Sequence, residues 1–155
     1  MKTSLPRLAF LALCLSGLAG CLSHLTFGGI AVTIDDLKPA TAKTPATLTL
    51  HFANENVVAV GIDSSTHRLY LNGSLVGTVV NTKPLGVQAM SSGTQEVPVK
   101  FENPALVQQL AAAAGARTTS YRLESDLLLL AGEEKIHAKS VEQGTLDLSP
   151  LAGAR

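Results

Sequence analysis

Charge is scarce in this sequence. Lysine, arginine, aspartate and glutamate make up 15% of its 155 residues and cancel to a formal net charge of zero. With no basic run, the chain lacks the electrostatic footprint of a nucleic-acid binder. Cysteine is scarcer: only Cys14 and Cys21 occur, too few for a disulfide framework. There is no Gly-x-Ser-x-Gly, no glycine-rich phosphate loop and no His-Glu-x-x-His. The common signatures of a hydrolase, a nucleotide binder and a zinc protease are therefore missing. No repeat and no second domain are visible. What is abundant is apolar material, 46% of the chain, which suits one domain with a buried core and argues against a disordered tail.

Part of that apolar content belongs to the N-terminus. Lys2 and Arg7 precede the run Leu8-Ala9-Phe10-Leu11-Ala12-Leu13-Cys14-Leu15, which is too short to span a bilayer and has the layout of a signal peptide. Its end, Leu18-Ala19-Gly20-Cys21, looks like a bacterial lipobox. That resemblance implies cleavage before Cys21, a diacylglyceryl thioether on its sulfur and a new amino group open to acylation. Two or three acyl chains anchor a protein stably where one does not. Residues 1–20 are thus expected to be a signal peptide and residues 21–29 a short lipidated tether. The mature chain would keep ten basic against twelve acidic residues, a formal charge of −2. Leu22 follows the lipidated cysteine in place of the aspartate that marks inner-membrane retention. The expected location is the outer membrane, facing the periplasm.

The remaining chain reads as short strands. Ile30, Val32 and Ile34 share one strand face, and Asp35-Asp36 and Pro39 are expected to end that strand. Leu48, Leu50 and Phe52 point inward between Thr47, Thr49 and His51. Leu69 and Leu71 alternate with Arg68 and Tyr70 before Asn72-Gly73, the two residue types best suited to the positive φ angles of a type I′ hairpin. Val97, Val99 and Phe101 form another inward set, with Pro98 outward on a strand that must be an edge or irregular there. Asn103-Pro104 then supplies an N-cap and a first helical residue, predicting one helix over about residues 104–114. Tyr121, Leu123, Ser125, Leu127 and Leu129 share the inner face of a later strand. Leu128 and Leu130 fall on its outer face as an apolar stripe, to be covered by the helix or a second sheet. The whole predicts an all-β antiparallel sandwich over residues 30–148, with 149–155 a frayed end.

Several of these residues also resemble a known family. Leu48-Thr49-Leu50-His51-Phe52-Ala53-Asn54-Glu55-Asn56, Arg68-Leu69-Tyr70-Leu71-Asn72-Gly73, Gly77, Tyr121-Arg122-Leu123-Glu124 and Gly144-Thr145-Leu146 are similar, in order and spacing, to the late embryogenesis abundant type 2 domain. This is also called the water stress and hypersensitive response (WHy) domain. Two positions depart from the pattern: Glu55 stands where proline is usual and Ser125 where glycine is common. The resemblance implies a fibronectin type III-like β-sandwich with an inserted α-helix. It makes Asn54, Asn56, Tyr70, Asn72, Gly73, Gly77, Tyr121 and Gly144 structural landmarks. The implied role is non-enzymatic protection of proteins or membrane surfaces under water stress.

No catalytic residue, metal ligand or cofactor is predicted. His51 and His67 are read as outward strand positions that could meet across strands, but such histidines are usually solvated; His24 and His137 add no ligand pattern. Asp35 and Asp36 read as a polar strand terminus. Ser64-Ser65 and Ser91-Ser92 show no paired base. Tyr70 and Tyr121 are read as packing residues with wet hydroxyls. The expected partner is the membrane, through Cys21, with no nucleic acid and no small-molecule substrate. The competing reading is an envelope binding or assembly module for a protein, peptide or lipid, which predicts a contiguous apolar groove.

Overall fold

The computed structural model describes residues 29–42, 44–113 and 118–152. Eight antiparallel strands lie in them: β1 (Ile30–Lys38), β2 (Ala46–Asn54), β3 (Val60–Leu71), β4 (Ser74–Asn81), β5 (Leu85–Val87), β6 (Ser91–Phe101), β7 (Thr118–Ala131) and β8 (Glu134–Asp147). Helix α1 spans Pro104–Ala112 and the one-turn α2 spans Ser149–Ala152. The sheet order is β1-β2-β6-β4-β3-β7-β8, with β5 added beside β3. β6 pairs with β2 from Ser91 to Val99, and with β4 only at Lys100 and Phe101. Along most of its length it therefore has a ladder on one side, which is where Pro98, opposite Thr47, is tolerated.

The sheet curls until its first and last strands approach, making a nearly closed barrel. No backbone ladder joins β1 to β8. Instead the Val32 amide donates to Ser140 Oγ at 3.1 Å and the Ile34 amide donates to the Tyr121 hydroxyl at 3.2 Å. Two hydroxyls thus satisfy amides that an edge strand would otherwise leave open. Inside lie Val32, Leu48, Leu50, Phe52, Leu69, Leu71 and Leu123, all fully buried. The predicted alternation in β2, β6 and β7 holds, because each strand buries one face and a period of two is the only pattern that does so.

Three bulges alter the expected phase. Asp35 and Asp36 do not end β1: the register steps between Ile34 and Asp36, so two consecutive residues face water and Leu37 returns to the core. A second step, between Ile62 and Ser64, makes Asp63 the extra residue of β3. A third, on β4, lies opposite Leu69 and Tyr70 and leaves Val76 and Gly77 both buried. At the hairpin, Asn72 has φ 47° and Gly73 φ 83°, the two positive angles that a type I′ turn needs. Helix α1 begins as predicted. Asn103 Oδ1 accepts from the Leu106 amide at 3.1 Å and Pro104 opens the helix. It ends at Ala112, with Ala113 as its cap; the expected stop at Gly115 lies outside the described residues.

Candidate functional sites: a buried histidine, an amide hub and an apolar groove

The strand pattern alone places His67 on the outer surface, and the structure corrects this. His67 is 0% exposed. It has the parity of Leu69 and Leu71, so all three side chains enter the barrel. Its Nε2 lies 2.8 Å from Ser65 Oγ and its Nδ1 lies 2.8 Å from Ser125 Oγ. A neutral imidazole donates through one nitrogen and accepts through the other, so both serines find a partner. The ring meets Phe52 edge-on, with centroids 6.1 Å apart. Burial pulls its pKa down from 6.5 to about 4, because the charged form would lose its water. Ser65, expected to have no base nearby, does have one. The pair nonetheless sits inside a packed core, with the imidazole held neutral and shielded from solvent. It is built to be satisfied internally rather than to meet a substrate.

His51 and His67 do not come together. His51 stays on the outer face of β2, where Nδ1 lies 3.5 Å from Asp35 Oδ2, while His67 is inside. Among the described residues no group of three or more His, Cys, Asp or Glu side chains could hold a metal ion. Cys21 and the preceding Leu18, Ala19 and Gly20, together with His24, lie outside the described residues.

The landmark residues each have a visible mechanical task. Asn54 is buried at the end of β2 and works as a hub. Its amide nitrogen donates to the Val58 and Gln88 carbonyls at 2.9 Å each and to the Val87 carbonyl at 3.3 Å. Its Oδ1 accepts from the Asn56 backbone amide at 3.0 Å and from Asn56 Nδ2 at 2.8 Å. These bonds tie two loops into one unit despite the glutamate at position 55. Asn72 does more than turn: its Oδ1 accepts from Thr119 Oγ1 and Ser120 Oγ, at 2.8 and 2.9 Å, clamping β7 to the hairpin. Gly77 sits where β4 crosses β6, and a Cβ there would lie 3.1 Å from the Lys100 carbonyl. Tyr121 and Gly144 are direct partners across β7 and β8. A Cβ on Gly144 would come within 2.8 Å of the tyrosine ring, so glycine leaves room for the ring whose hydroxyl reaches β1. The Tyr121 side chain is accordingly buried rather than wet. Tyr70 does face outward: its hydroxyl donates to Glu124 Oε2 at 3.1 Å, and the Arg122 guanidinium lies 4.2 Å from the ring centroid.

A concavity lies elsewhere. At the end of the barrel where β1 leaves for β2, a cavity of about 500 Å³ opens among Pro39, Ala40, Ala42, Phe101, Val107 and Leu151, with Thr41 and Gln108 at its polar margin. Its walls come from a loop, the tip of β6 and both helices, and among the described residues they carry no charged side chain. This size and lining suit an apolar ligand or segment. Sequence reasoning placed its parts on separate elements and could not assemble them. The Leu128 and Leu130 stripe is not part of it. Those half-buried residues lie at the opposite end, where Leu130 pairs with Gly61 and Lys135, and Leu128 with Ser64 and His137; α1, following Phe101, packs at the groove end.

Comparison with known proteins adds a family. The model of a family described as late embryogenesis abundant protein matches residues 49–140. No curated protein sequence matches the chain. Among solved structures, a protein from Arabidopsis thaliana determined in solution is 18% identical, with 77% of this chain and 80% of that chain covered and a TM-score of 0.50. A second solution structure, titled a late embryogenesis abundant (LEA) protein, is 14% identical over 95% of this chain and 82% of that one, with a TM-score of 0.45. A crystal structure of a protein from Archaeoglobus fulgidus is 14% identical over 77% of this chain and 95% of that one, with a TM-score of 0.46. At such identities the Arabidopsis likeness concerns the fold alone.

Proposed function

Because the chain belongs to the late embryogenesis abundant family, whose model covers more than half of it, we propose that it is a lipid-anchored, non-enzymatic protein of the bacterial cell envelope that protects proteins or membrane surfaces under water stress. In this reading residues 1–20 are removed, Cys21 carries the lipid, and the domain faces the periplasm from the outer membrane. The curled sheet is then a fibronectin type III-like sandwich whose two layers share β6. The observation that carries the anchor is Leu18-Ala19-Gly20-Cys21 following a short apolar run. Protection is exerted by a folded body, since the chain has a continuous buried core. Two measurements test the proposal. Fatty-acid labelling of the expressed protein is expected to vanish in Cys21→Ala; unchanged labelling rejects the anchor. A test enzyme dried with the protein is expected to retain more activity than one dried with an equal mass of inert protein, and parity rejects the protective role.

One observation favours a second reading, an envelope binding module: the groove beside α1, lined mainly by apolar side chains among the described residues. It predicts that an apolar fluorophore binds the protein and is displaced in Ala42→Trp, which fills the groove. Equal binding by the variant rejects this reading.

A further inference from the structure

The end of the barrel where β1 begins also displays the two most exposed large apolar side chains among the described residues. Val57 is 77% exposed and Met90 is 70% exposed. They project from two loops joined by the Met90 amide donating to the Asn56 carbonyl at 2.9 Å, and the Asn54 amide braces both loops from within. Met90 stands at φ 49°, a left-handed conformation that costs a non-glycine side chain about 1 kcal/mol or more and concentrates at functional positions. The backbone that carries the pair is thus braced by hydrogen bonds, with one residue at a strained angle. Ile30 pairs with Asn54, and Asn54 with Ser91, so the start of β1 lies beside these two loops. Ile30 is nine residues after Cys21, a span of at most about 30 Å when extended. On the barrel wall at the same end lie the half-buried Leu128 and Leu130.

We propose that this end is a membrane-facing surface, with Val57 and Met90 inserted into the interfacial layer of the bilayer that holds the lipid of Cys21. The proposal rests on the anchored reading above. Two side chains reaching about 5–10 Å into the headgroup boundary would not hold the protein alone. They would set its orientation, and the apolar groove at the far end would then open away from the membrane.

The test uses the lipidated protein purified from expressing bacteria and reconstituted in phosphatidylethanolamine-rich vesicles. With Cys21 blocked by lipid, Val57→Cys and Met90→Cys each accept one environment-sensitive fluorophore. Val80→Cys and Val141→Cys, on the exposed barrel wall, serve as references. The expected result is a blue shift and a several-fold rise in emission at positions 57 and 90, quenched by spin-labelled lipids, with neither change at 80 and 141. If the protein floats with vesicles but all four labels behave alike, the orientation is overturned and the anchor stands. If it does not float, the anchor fails and takes this proposal with it. Circular dichroism of each labelled variant confirms that all four are folded.

Discussion

The two walls of the barrel bury comparable inner faces with different chemistry. From Ile30 to Phe52 the inward residues of β1 and β2 are all apolar: Ile30, Val32, Ile34, Leu37, Ala46, Leu48, Leu50 and Phe52. Across the barrel, β3, β7 and β8 interleave Ile62, Leu69, Leu71, Leu123 and Leu127 with Ser65, His67, Ser125 and Ser140. The first wall contributes transfer free energy that varies little with register within the apolar set. The second demands one register, because only there do both ring nitrogens find hydroxyls. Both walls thus contribute apolar burial, and the second adds registry and sensitivity to acid.

The largest expected effect falls on the apolar wall. Leu50→Ala is expected to cost about 3 kcal/mol in denaturant unfolding, and the same amount at pH 5 as at pH 7.5. A cost that changes with pH would break the division between the walls. The polar wall should answer to acid instead. The unfolded histidine binds its proton near pH 6.5, the folded one near pH 4. Between these values the unfolded state holds more protons, so stability is complete above about pH 7 and falls as the pH drops through that window. The loss from this one group approaches about 3 kcal/mol below pH 4. His67→Gln is expected to remove that slope, read as the difference between wild-type and variant titrations of unfolding free energy. Identical slopes would overturn the assignment. Ser125→Ala leaves one ring nitrogen without a partner and is expected to cost about 1–2 kcal/mol. The smallest effect belongs to the closure between the walls. Ser140→Ala removes the acceptor of the Val32 amide and is expected to cost about 1 kcal/mol, with faster hydrogen exchange at Val32 as its local mark.

How much of this was legible in the sequence follows from the same contrast. The apolar wall could be read almost residue by residue, because in β2 a strict period of two coincides with polarity. The Asn72-Gly73 turn and the Asn103-Pro104 helix start were equally readable, since their chemistry is local. His67 was misplaced for a physical reason. Carrying the phase of Val60 and Ile62 forward puts it outside, and carrying Leu69 and Leu71 backward puts it inside. Only the bulge at Asp63 reconciles the two, and a bulge leaves no clear trace in composition. Asp35-Asp36 misled in the same way, a polar pair read as a stop where the strand continues through a bulge. Tyr121 and Gly144 were both recognised as landmarks, yet their contact spans 23 positions of sequence and no local pattern encodes it. The groove is harder still, being assembled from a loop, a strand tip and two helices.

The two hydroxyls that close the barrel also bear on how copies of the protein meet. If the protein acts where water is being withdrawn, its own concentration climbs as the compartment shrinks, and every open strand edge becomes an invitation to polymerise. Val32 and Ile34 have no amide to offer a neighbouring copy, because Ser140 and Tyr121 already occupy both. The closure that completes the fold of one molecule also withdraws these two amides from pairing with another.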